Sequence, residues 1–218
     1  MELVVLDMAG TTVTDGGSVV AAFDVAATAV GLPTEGPERA SARRYVLETM
    51  GQSKITVFRA LFGARAEEAN AAFERAYDER ISAGVTPIPG ATEALAQLRA
   101  QGLRVVLTTG FSAATQQRLL DALGWHQLVD LALAPTADVR GRPFPDLVFT
   151  AVMRTGAAGV GGVVVVGDTA GDMESGCRAG AATVVGVRTG AHDAQTLRAA
   201  GATHILPSVA DLPALLSR

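Results

Sequence analysis

Short, wholly apolar segments alternate with amphipathic segments along most of the chain. The first apolar segment runs from Leu3 to Leu6 and is followed directly by Asp7. Because consecutive apolar residues leave no polar face, we expect a strand that is buried on both sides, as in the centre of a parallel sheet. Similar short strands are predicted at residues 103–107, 128–133, 163–166, 182–185 and 204–206.

Helical periodicity fills the intervals between these strands, at residues 91–101, 113–123, 147–155 and 172–179. Strands that alternate with helices of about ten residues are typical of an α/β fold, a doubly wound parallel (Rossmann-like) sheet with helices on both faces. Ligands of such sheets bind beyond the carboxyl ends of the strands. Residues that directly follow a predicted strand are therefore the first candidates for function.

One long segment departs from this alternation. Between residues 16 and 86 we find only helical periodicity, at residues 19–30, 38–49, 55–62 and 66–83. The strand pattern resumes after Pro87. We therefore predict two domains: an α/β core formed by residues 1–15 and 87–218, and a helical domain of residues 16–86 inserted over the strand ends.

The composition narrows the classes of partner. The 218 residues include 18 Lys and Arg against 22 Asp and Glu, a net charge of −4, whereas binding to a nucleic-acid backbone needs a basic face. The single cysteine, Cys177, rules out an intrachain disulfide and favours a reducing compartment. No apolar run approaches the roughly 18 residues of a membrane span. We expect a soluble, cytoplasmic protein that binds neither nucleic acid nor membranes.

Polar side chains follow several predicted strands. They are Asp7, Thr109, Arg142, Asp168 and Asp172. Taken singly, each is about as well explained as a helix cap or a turn residue. Taken together, the three carboxylates offer the oxygen ligands that Mg²⁺ prefers, and Arg142 suits bidentate contact with a phosphate. Gly110 would let the backbone approach the same anion closely.

These residues resemble the four motifs of the haloacid dehalogenase superfamily. The matching stretches, in the same order along the chain, are Asp7–Thr12, Thr109–Gly110, Arg142 and Gly167–Asp172. The helical insertion after the first strand corresponds to that superfamily's C1 cap. Four motifs in order are a specific signal, whereas one alone would be weak.

The resemblance implies a role for each matching residue. Asp7 would be the nucleophile that attacks phosphorus. Mg²⁺ would be held by Asp7, the Ala9 backbone carbonyl and Asp168, with Asp172 supporting them from behind. Thr109, Gly110 and Arg142 would bind the phosphoryl oxygens of a small phosphonate or phosphate substrate. Thr11 would either contact that phosphoryl group or satisfy its own loop.

Two details make the chain similar to the phosphonatase (phosphonoacetaldehyde hydrolase) branch. Most phosphatases of the superfamily have a second Asp two residues after the nucleophile, where this chain has Ala9, and a Lys in the third motif, where it has Arg142. The stretch from Met50 through Gly51 to Lys54 resembles the phosphonatase Met-Gly-x-x-Lys run. That family's lysine forms a Schiff base with its aldehyde substrate. Met50, Gly51 and Phe111 would then line the substrate pocket.

Chemistry explains why the missing Asp and the added Lys belong together. Cleavage of a P–O bond releases an oxyanion, which a general acid can protonate. Cleavage of a P–C bond releases a carbanion, which is too basic for a carboxylic acid to rescue. An iminium formed by Lys54 would accept those electrons, and Lys54 must be neutral to form it. The pattern therefore favours cleavage of the P–C bond of a 2-oxoalkylphosphonate.

Three positions depart from the phosphonatase pattern. Val57 stands where that family has a histidine, Phe111 where it has a tyrosine, and Gly17 where it has a cysteine. Each departure removes a polar group from the expected cap side of the site. We therefore expect a larger or more apolar 2-oxoalkylphosphonate than the smallest aldehyde.

Other interpretations stay open at this point. The chain could be a phosphatase of small phosphate monoesters, in which Lys54 would be an ordinary cap residue. It could also be a non-catalytic phosphometabolite-binding or regulatory module, although such a module would have lost more of the motifs. The phosphonatase resemblance further implies a homodimer through the caps, but the cap helices could equally pack only among themselves.

Overall fold

The computed structural model describes residues 1–217 and contains a six-stranded parallel sheet in the order β3-β2-β1-β4-β5-β6. The strands are β1 (Leu3–Asp7), β2 (Arg104–Thr108), β3 (Leu131–Leu133), β4 (Val163–Gly167), β5 (Thr183–Val187) and β6 (His204–Leu206). The helices are α1 (Ser18–Ala29), α2 (Pro37–Glu48), α3 (Lys54–Phe62), α4 (Ala66–Ala83), α5 (Ala91–Ala100), α6 (Ala113–Leu123), α7 (Asp146–Thr155), α8 (Ala170–Ala179), α9 (Ala194–Ala199) and α10 (Leu212–Leu216).

Strand β1 lies in the middle of the sheet and is buried throughout. Its residues alternate between two apolar clusters, one on each face, with Val4 and Leu6 in the first and Leu3 and Val5 in the second. The chain runs outward from β1 to β3 and then crosses to β4 on the other side. This confirms the predicted doubly wound α/β fold, and it creates a crevice at the carboxyl ends of β1 and β4.

The observed elements differ from the predicted ones mainly at their ends. Strand β3 begins at Leu131, not at residue 128, because the 3₁₀ turn Trp125–Gln127 ends in a bend, in which the Leu128 N–H donates to the Trp125 carbonyl at 2.9 Å. Helices α9 and α10 were missed because six and five residues are too few to reveal a helical period.

Helices α1 to α4 lie between β1 and β2 in the chain, within one or two residues of the predicted positions. No strand occurs in residues 16–86, all of which the structure describes. The interior of this helical segment is aromatic: Phe23, Phe58 and Phe62 stack at 6.0–6.3 Å, and Phe73 meets the edge of Phe58 at 5.6 Å. Among the helices of residues 1–217, none combines the length and the apolar character needed to cross a membrane.

The helical segment joins the sheet through two connections that run side by side. The Thr14 N–H donates to the Thr86 carbonyl at 2.9 Å, and the Ile88 N–H donates to the Thr12 carbonyl at 2.9 Å. One buried apolar cluster continues from the sheet into the helices. The division into two domains stays a prediction, and the structure adds that their apolar interiors merge.

Phe73 lies where these interiors meet, because it stacks on Phe111 at 6.2 Å as well as on the cap aromatics. It is 1% exposed. We expect Phe73→Ala to lower the free energy of unfolding by about 3–5 kcal/mol, the usual cost of emptying a buried aromatic site, as measured by urea denaturation. Met153→Ala is the control, since Met153 is 73% exposed and should change stability little. An unchanged midpoint for Phe73→Ala would contradict this account of the core.

Candidate active site

A cavity of about 460 Å³ lies between the carboxyl ends of the strands and the helical segment. It brings together most of the residues singled out from the sequence: Asp7, Ala9, Met50, Gly51, Lys54, Thr109, Gly110, Phe111, Arg142 and Asp168. The sheet explains the convergence of the polar ones. Asp7 ends β1 and pairs with Thr108 at the end of β2, while Asp168 directly follows β4 on the other side.

The buried Arg142 guanidinium is the centre of the polar contacts. Its Nη1 donates to Asp7 Oδ1 at 2.5 Å and to the Gly51 carbonyl at 3.3 Å, and its Nη2 donates to Thr108 Oγ1 at 2.7 Å. Its Nε lies 2.8 Å from Asp172 Oδ1. Arg142 thus binds one oxygen of Asp7. The other oxygen, Oδ2, has no hydrogen-bond partner within residues 1–217, and Asp7 lines the cavity.

Asp172 does not line the cavity, and both of its carboxylate oxygens contact other groups of the protein. Besides pairing with Arg142, it accepts hydrogen bonds at Oδ2 from the Thr169 N–H at 3.1 Å and the Thr169 hydroxyl at 2.5 Å. The two residues form a capping box at the start of α8. Both oxygens of Asp172 thus serve the helix cap and the arginine, a position compatible with the expected support of the metal ligands from behind; its part in metal binding stays a prediction.

Thr11 likewise does not reach the cavity. Its side chain is fully buried, and its hydroxyl donates to Asp168 Oδ1 at 2.9 Å. Of the two roles left open for Thr11, this contact favours the one within the protein, because the hydroxyl proton is used to orient Asp168; a contact with substrate stays a prediction. The other oxygen of Asp168 accepts the Ala191 N–H at 2.8 Å.

Burial controls the ionisation of the two cavity carboxyls. It raises the pKa of Asp7 to about 8, with Asp172 and Asp168 adding to the rise and Arg142 opposing it. Burial likewise raises the pKa of Asp168 to about 6, and nearby Asp172 adds to this. In each case the loss of water outweighs the attraction of the single arginine.

The oxygen donors of the cavity fit Mg²⁺, but the protein side chains alone do not complete its coordination. Within residues 1–217, no three His, Cys, Asp or Glu side chains are arranged to hold a metal ion. Asp7 and Asp168 nevertheless line one cavity together with Ala9, whose carbonyl is a further oxygen donor. Two carboxylates, with the remaining positions left to water and substrate oxygens, suit Mg²⁺, which keeps much of its hydration.

Lys54 is the first residue of α3 and enters the cavity from the helical side. Its backbone N–H donates to the Gly110 carbonyl at 2.9 Å, which fixes the start of α3 on the turn after β2. Its Nζ lies 5.4 Å from the centre of the Phe111 ring and has no hydrogen bond or ion pair within residues 1–217. Burial lowers the pKa of this amine to about 8, with help from Arg142 and against Asp7.

Two glycines allow the helical segment to sit this close. A Cβ at Gly110 would overlap the Gln52 carbonyl, and a Cβ at Gly51 would come within 2.5 Å of Thr169 Oγ1. Gly51 also has a φ of +86°, which side chains rarely adopt. The loop before Lys54 is therefore in direct contact with both the β2 and the β4 turns.

The three departures from the phosphonatase pattern fall in different places. Phe111 and Gly17 line the cavity. Val57 does not: it packs beneath Lys54 among apolar residues of α1 and α4, where it is 4% exposed. Val57 belongs to the interior of the helical segment and does not bear on the substrate. This part of the expectation is corrected, and only Phe111 and Gly17 still support a more apolar substrate.

Some residues of the site were not found from the sequence. Thr108 supports Arg142, and the loop at residues 189–192 lines the cavity beside Asp168. In this loop His192 Nδ1 accepts the Ala170 N–H at 2.8 Å. The loop follows β5, and residues that follow a strand are the ones the sequence marks as candidates. The loop was not marked because the predicted strand ended at residue 185, two residues before the end of β5.

We expect replacement of Arg142 by methionine to destabilise the protein far more than the same replacement of Arg140, which lies two residues earlier. Arg142→Met leaves Asp7 and Asp172 buried without their cation and should lower the free energy of unfolding by about 3–5 kcal/mol in urea denaturation without added metal. Arg140→Met is the control, since Arg140 pairs with Asp146 at the surface and should matter little. Equal stability losses in the two variants would show that the Arg142 pairs are not the buried support described here.

Comparison with known proteins agrees with this geometry. A family model described as haloacid dehalogenase-like hydrolase matches residues 1–180. Phosphonoacetaldehyde hydrolase from Parabacteroides distasonis is 28% identical over an alignment of 178 positions, which covers 70% of this chain and 66% of that protein. The chain thus spans slightly less than two thirds of that relative.

Other similar proteins carry different names. A protein from Dickeya dadantii named "Probable phosphatase IndB" is 30% identical over 205 residues, covering 91% of this chain and 86% of that protein. The crystal structure of a hydrolase from Pseudomonas syringae has a TM-score of 0.85 at 25% identity, covering 100% of this chain and 98% of that one. The chain belongs to the haloacid dehalogenase-like hydrolases.

Proposed function

We propose that the chain is a Mg²⁺-dependent, phosphonatase-like hydrolase that cleaves the P–C bond of a 2-oxoalkylphosphonate. One observation carries the proposal: the Lys54 amine, unpaired and with a lowered pKa, lines the same cavity as the Asp7 carboxyl. A neutral amine can attack a carbonyl carbon, and a carboxylate can attack phosphorus. The name of the Parabacteroides relative supports the same chemistry.

In the first step, Lys54 Nζ adds to the carbonyl carbon of the substrate, and water leaves to give a protonated imine. The Gly110 contact of α3 holds the start of the lysine helix in place for this attack. The substrate's phosphoryl group would lie between Asp7 and the turn at Thr109 and Gly110, with Arg142 beside it.

In the second step, Asp7 Oδ2 attacks phosphorus while Oδ1 stays on Arg142. The P–C bond breaks, and its electron pair forms the double bond of an enamine as the iminium nitrogen becomes neutral. Water then hydrolyses the aspartyl phosphate to free phosphate, and the enamine takes up a proton on carbon and is hydrolysed to release Lys54. Mg²⁺ held by Asp7, the Ala9 carbonyl and Asp168 would offset the repulsion between carboxylate and phosphoryl oxygens.

A phosphatase of small phosphate monoesters is the second candidate, and the name of the Dickeya relative favours it. Two residues of the cavity oppose it. Ala9 supplies no acid for a leaving oxygen, and Lys54 would have no task in such a reaction. A non-catalytic phosphometabolite-binding or regulatory module is a weaker third candidate, since Asp7, Arg142 and Asp168 are all retained and line one cavity. The homodimer through the cap and the cytoplasmic location stay predictions.

Phosphate release with Mg²⁺ present tests the proposal. We expect release from phosphonoacetaldehyde and longer 2-oxoalkylphosphonates but not from a panel of phosphate monoesters. Lys54→Ala and Lys54→Arg should each lower kcat by about 10³-fold or more, since an arginine cannot form the imine. Release from monoesters alone, unaffected by Lys54→Ala, would identify a phosphatase. Metal-dependent binding without turnover on either panel would identify a binding module.

The lowered pKa of Lys54 gives a second prediction. Only the neutral amine forms an imine, so the initial rate of borohydride trapping with phosphonoacetaldehyde should rise with pH and level off above about pH 8. An amine at its ordinary pKa of 10.5 would continue to gain rate well above that point. The trapped adduct should be located on Lys54 by mass spectrometry and be absent from Lys54→Ala. A rate that still rises steeply at pH 10 would contradict the description of this amine.

A further inference from the structure

The wall of the cavity formed by the helical segment is almost entirely hydrocarbon. Among the described residues 16–86, Lys54 is the only cavity-lining residue with a polar side chain. The rest of that wall consists of glycines and of Val19 and Val20 from α1, Leu47 from α2, and Met50. The Phe111 ring, below Lys54 Nζ, continues this apolar surface on the sheet side.

Most polar side chains of the cavity lie on the opposite side, at the strand ends. Asp15 borders the wall at the start of α1, where its carboxylate accepts the N–H groups of Gly17 and Val19. A phosphoryl group that contacts Arg142 and the turn at Gly110 therefore leaves its carbonyl end facing Lys54 and the apolar wall. Any hydroxyl, carboxylate or second phosphate attached beyond that carbonyl would lose its water and find no partner on this wall. A hydrocarbon group in the same place would instead be favourably buried.

The size of the cavity agrees with an additional group. At about 460 Å³ it lies within the usual range of roughly 300–1,000 Å³ for sites that enclose drug-sized ligands, far above the needs of a two-carbon phosphonate. Leu47 is 50% exposed and marks the open side of the wall. Gly17, at a φ of +79°, has nothing within 4 Å of the position of a Cβ, so this corner is also unfilled.

We propose that this wall, formed by Val19, Val20, Leu47, Met50 and Phe111, is a subsite for an apolar substituent on the carbonyl carbon, and that the substrates are ketones of the alkyl- or arylcarbonylmethylphosphonate class. The inference rests on the proposed P–C bond cleavage. It adds which substituent the site accepts. Within residues 16–86 only Lys54 contributes a polar side chain to the cavity, and the adjoining Asp15 is an acid whose two oxygens already accept N–H groups of α1, so the subsite disfavours carboxylate-bearing and hydroxyl-rich substrates.

Four substrates that differ only at the carbonyl carbon test the subsite. They are phosphonoacetaldehyde, acetonylphosphonate, phenacylphosphonate and phosphonopyruvate, which carry hydrogen, methyl, phenyl and carboxylate. We expect kcat/KM for the acetonyl and phenacyl compounds to exceed that for phosphonoacetaldehyde. Phosphonopyruvate should be poorer than acetonylphosphonate by about 10²-fold or more, because its carboxylate would be left unpaired.

Filling the wall should reverse this preference. Val20→Trp and Leu47→Trp place a large ring against the subsite and should lower the phenacyl-to-aldehyde ratio of kcat/KM by about tenfold or more. Two variants are used because Leu47, being half exposed, admits a tryptophan without repacking the interior. Val25→Trp is the matched control: it lies on α1, 52% exposed and outside the cavity, and should leave the ratio unchanged.

The outcomes separate the two proposals. If the protein cleaves phosphonates but prefers phosphonoacetaldehyde or phosphonopyruvate to both ketones, the subsite is wrong while P–C cleavage stands. An equal fall for all substrates in both tryptophan variants would also overturn the subsite. If no phosphonate releases phosphate and borohydride traps no adduct on Lys54, the proposed function fails and the subsite fails with it.

Discussion

The Arg142 guanidinium lies between the carboxylates of Asp7 and Asp172, and its three nitrogens reach four different parts of the chain. Without it, the carboxyl at the end of β1 and the one in the first turn of α8 would be buried next to each other with no cation. A planar guanidinium with fixed donor directions can serve several acceptors at once, which the single point charge of an ammonium cannot. Because one of those acceptors is the Gly51 carbonyl, the same side chain that organises the strand ends also contacts the loop before Lys54.

The position of Lys54 follows from backbone contacts more than from its own side chain. The Gly110 carbonyl accepts its N–H, and the glycines at 51 and 110 remove the atoms that would otherwise separate the two segments. The aromatic cluster that includes Phe73 and Phe111 supports the same junction from within. Apolar packing and hydrogen bonds thus fix the distance between an amine on one side of the cavity and a carboxyl on the other.

Burial acts in opposite directions on these two groups and makes both more neutral. It lowers the pKa of Lys54 and raises that of Asp7, since each loses the water that stabilised its charge. The neutral amine is the form that reacts with a carbonyl, so the dry environment favours the proposed chemistry there. The carboxyl must instead be ionised to attack phosphorus, and Arg142 alone does not overcome its burial. A divalent cation beside Asp7 and Asp168 would supply the missing positive charge.

The sequence by itself determined the sheet, the helical insertion and the residues at the strand ends. Strands without a polar face have to be buried, and the carboxyl ends of parallel strands have to share one edge, so Asp7, Thr109 and Asp168 converge whatever the details. Only the tertiary structure decided which polar groups face the cavity. Thr11 and Asp172 have the same residue types and motif positions as a ligand would, yet their atoms are used by Asp168, Arg142 and the α8 cap. Likewise, Val57 and Val20 are both valines of predicted helices, and the sequence does not distinguish them. The packing of α1 with α3 and α4 places Val57 in the interior of the helical segment and Val20 at the cavity.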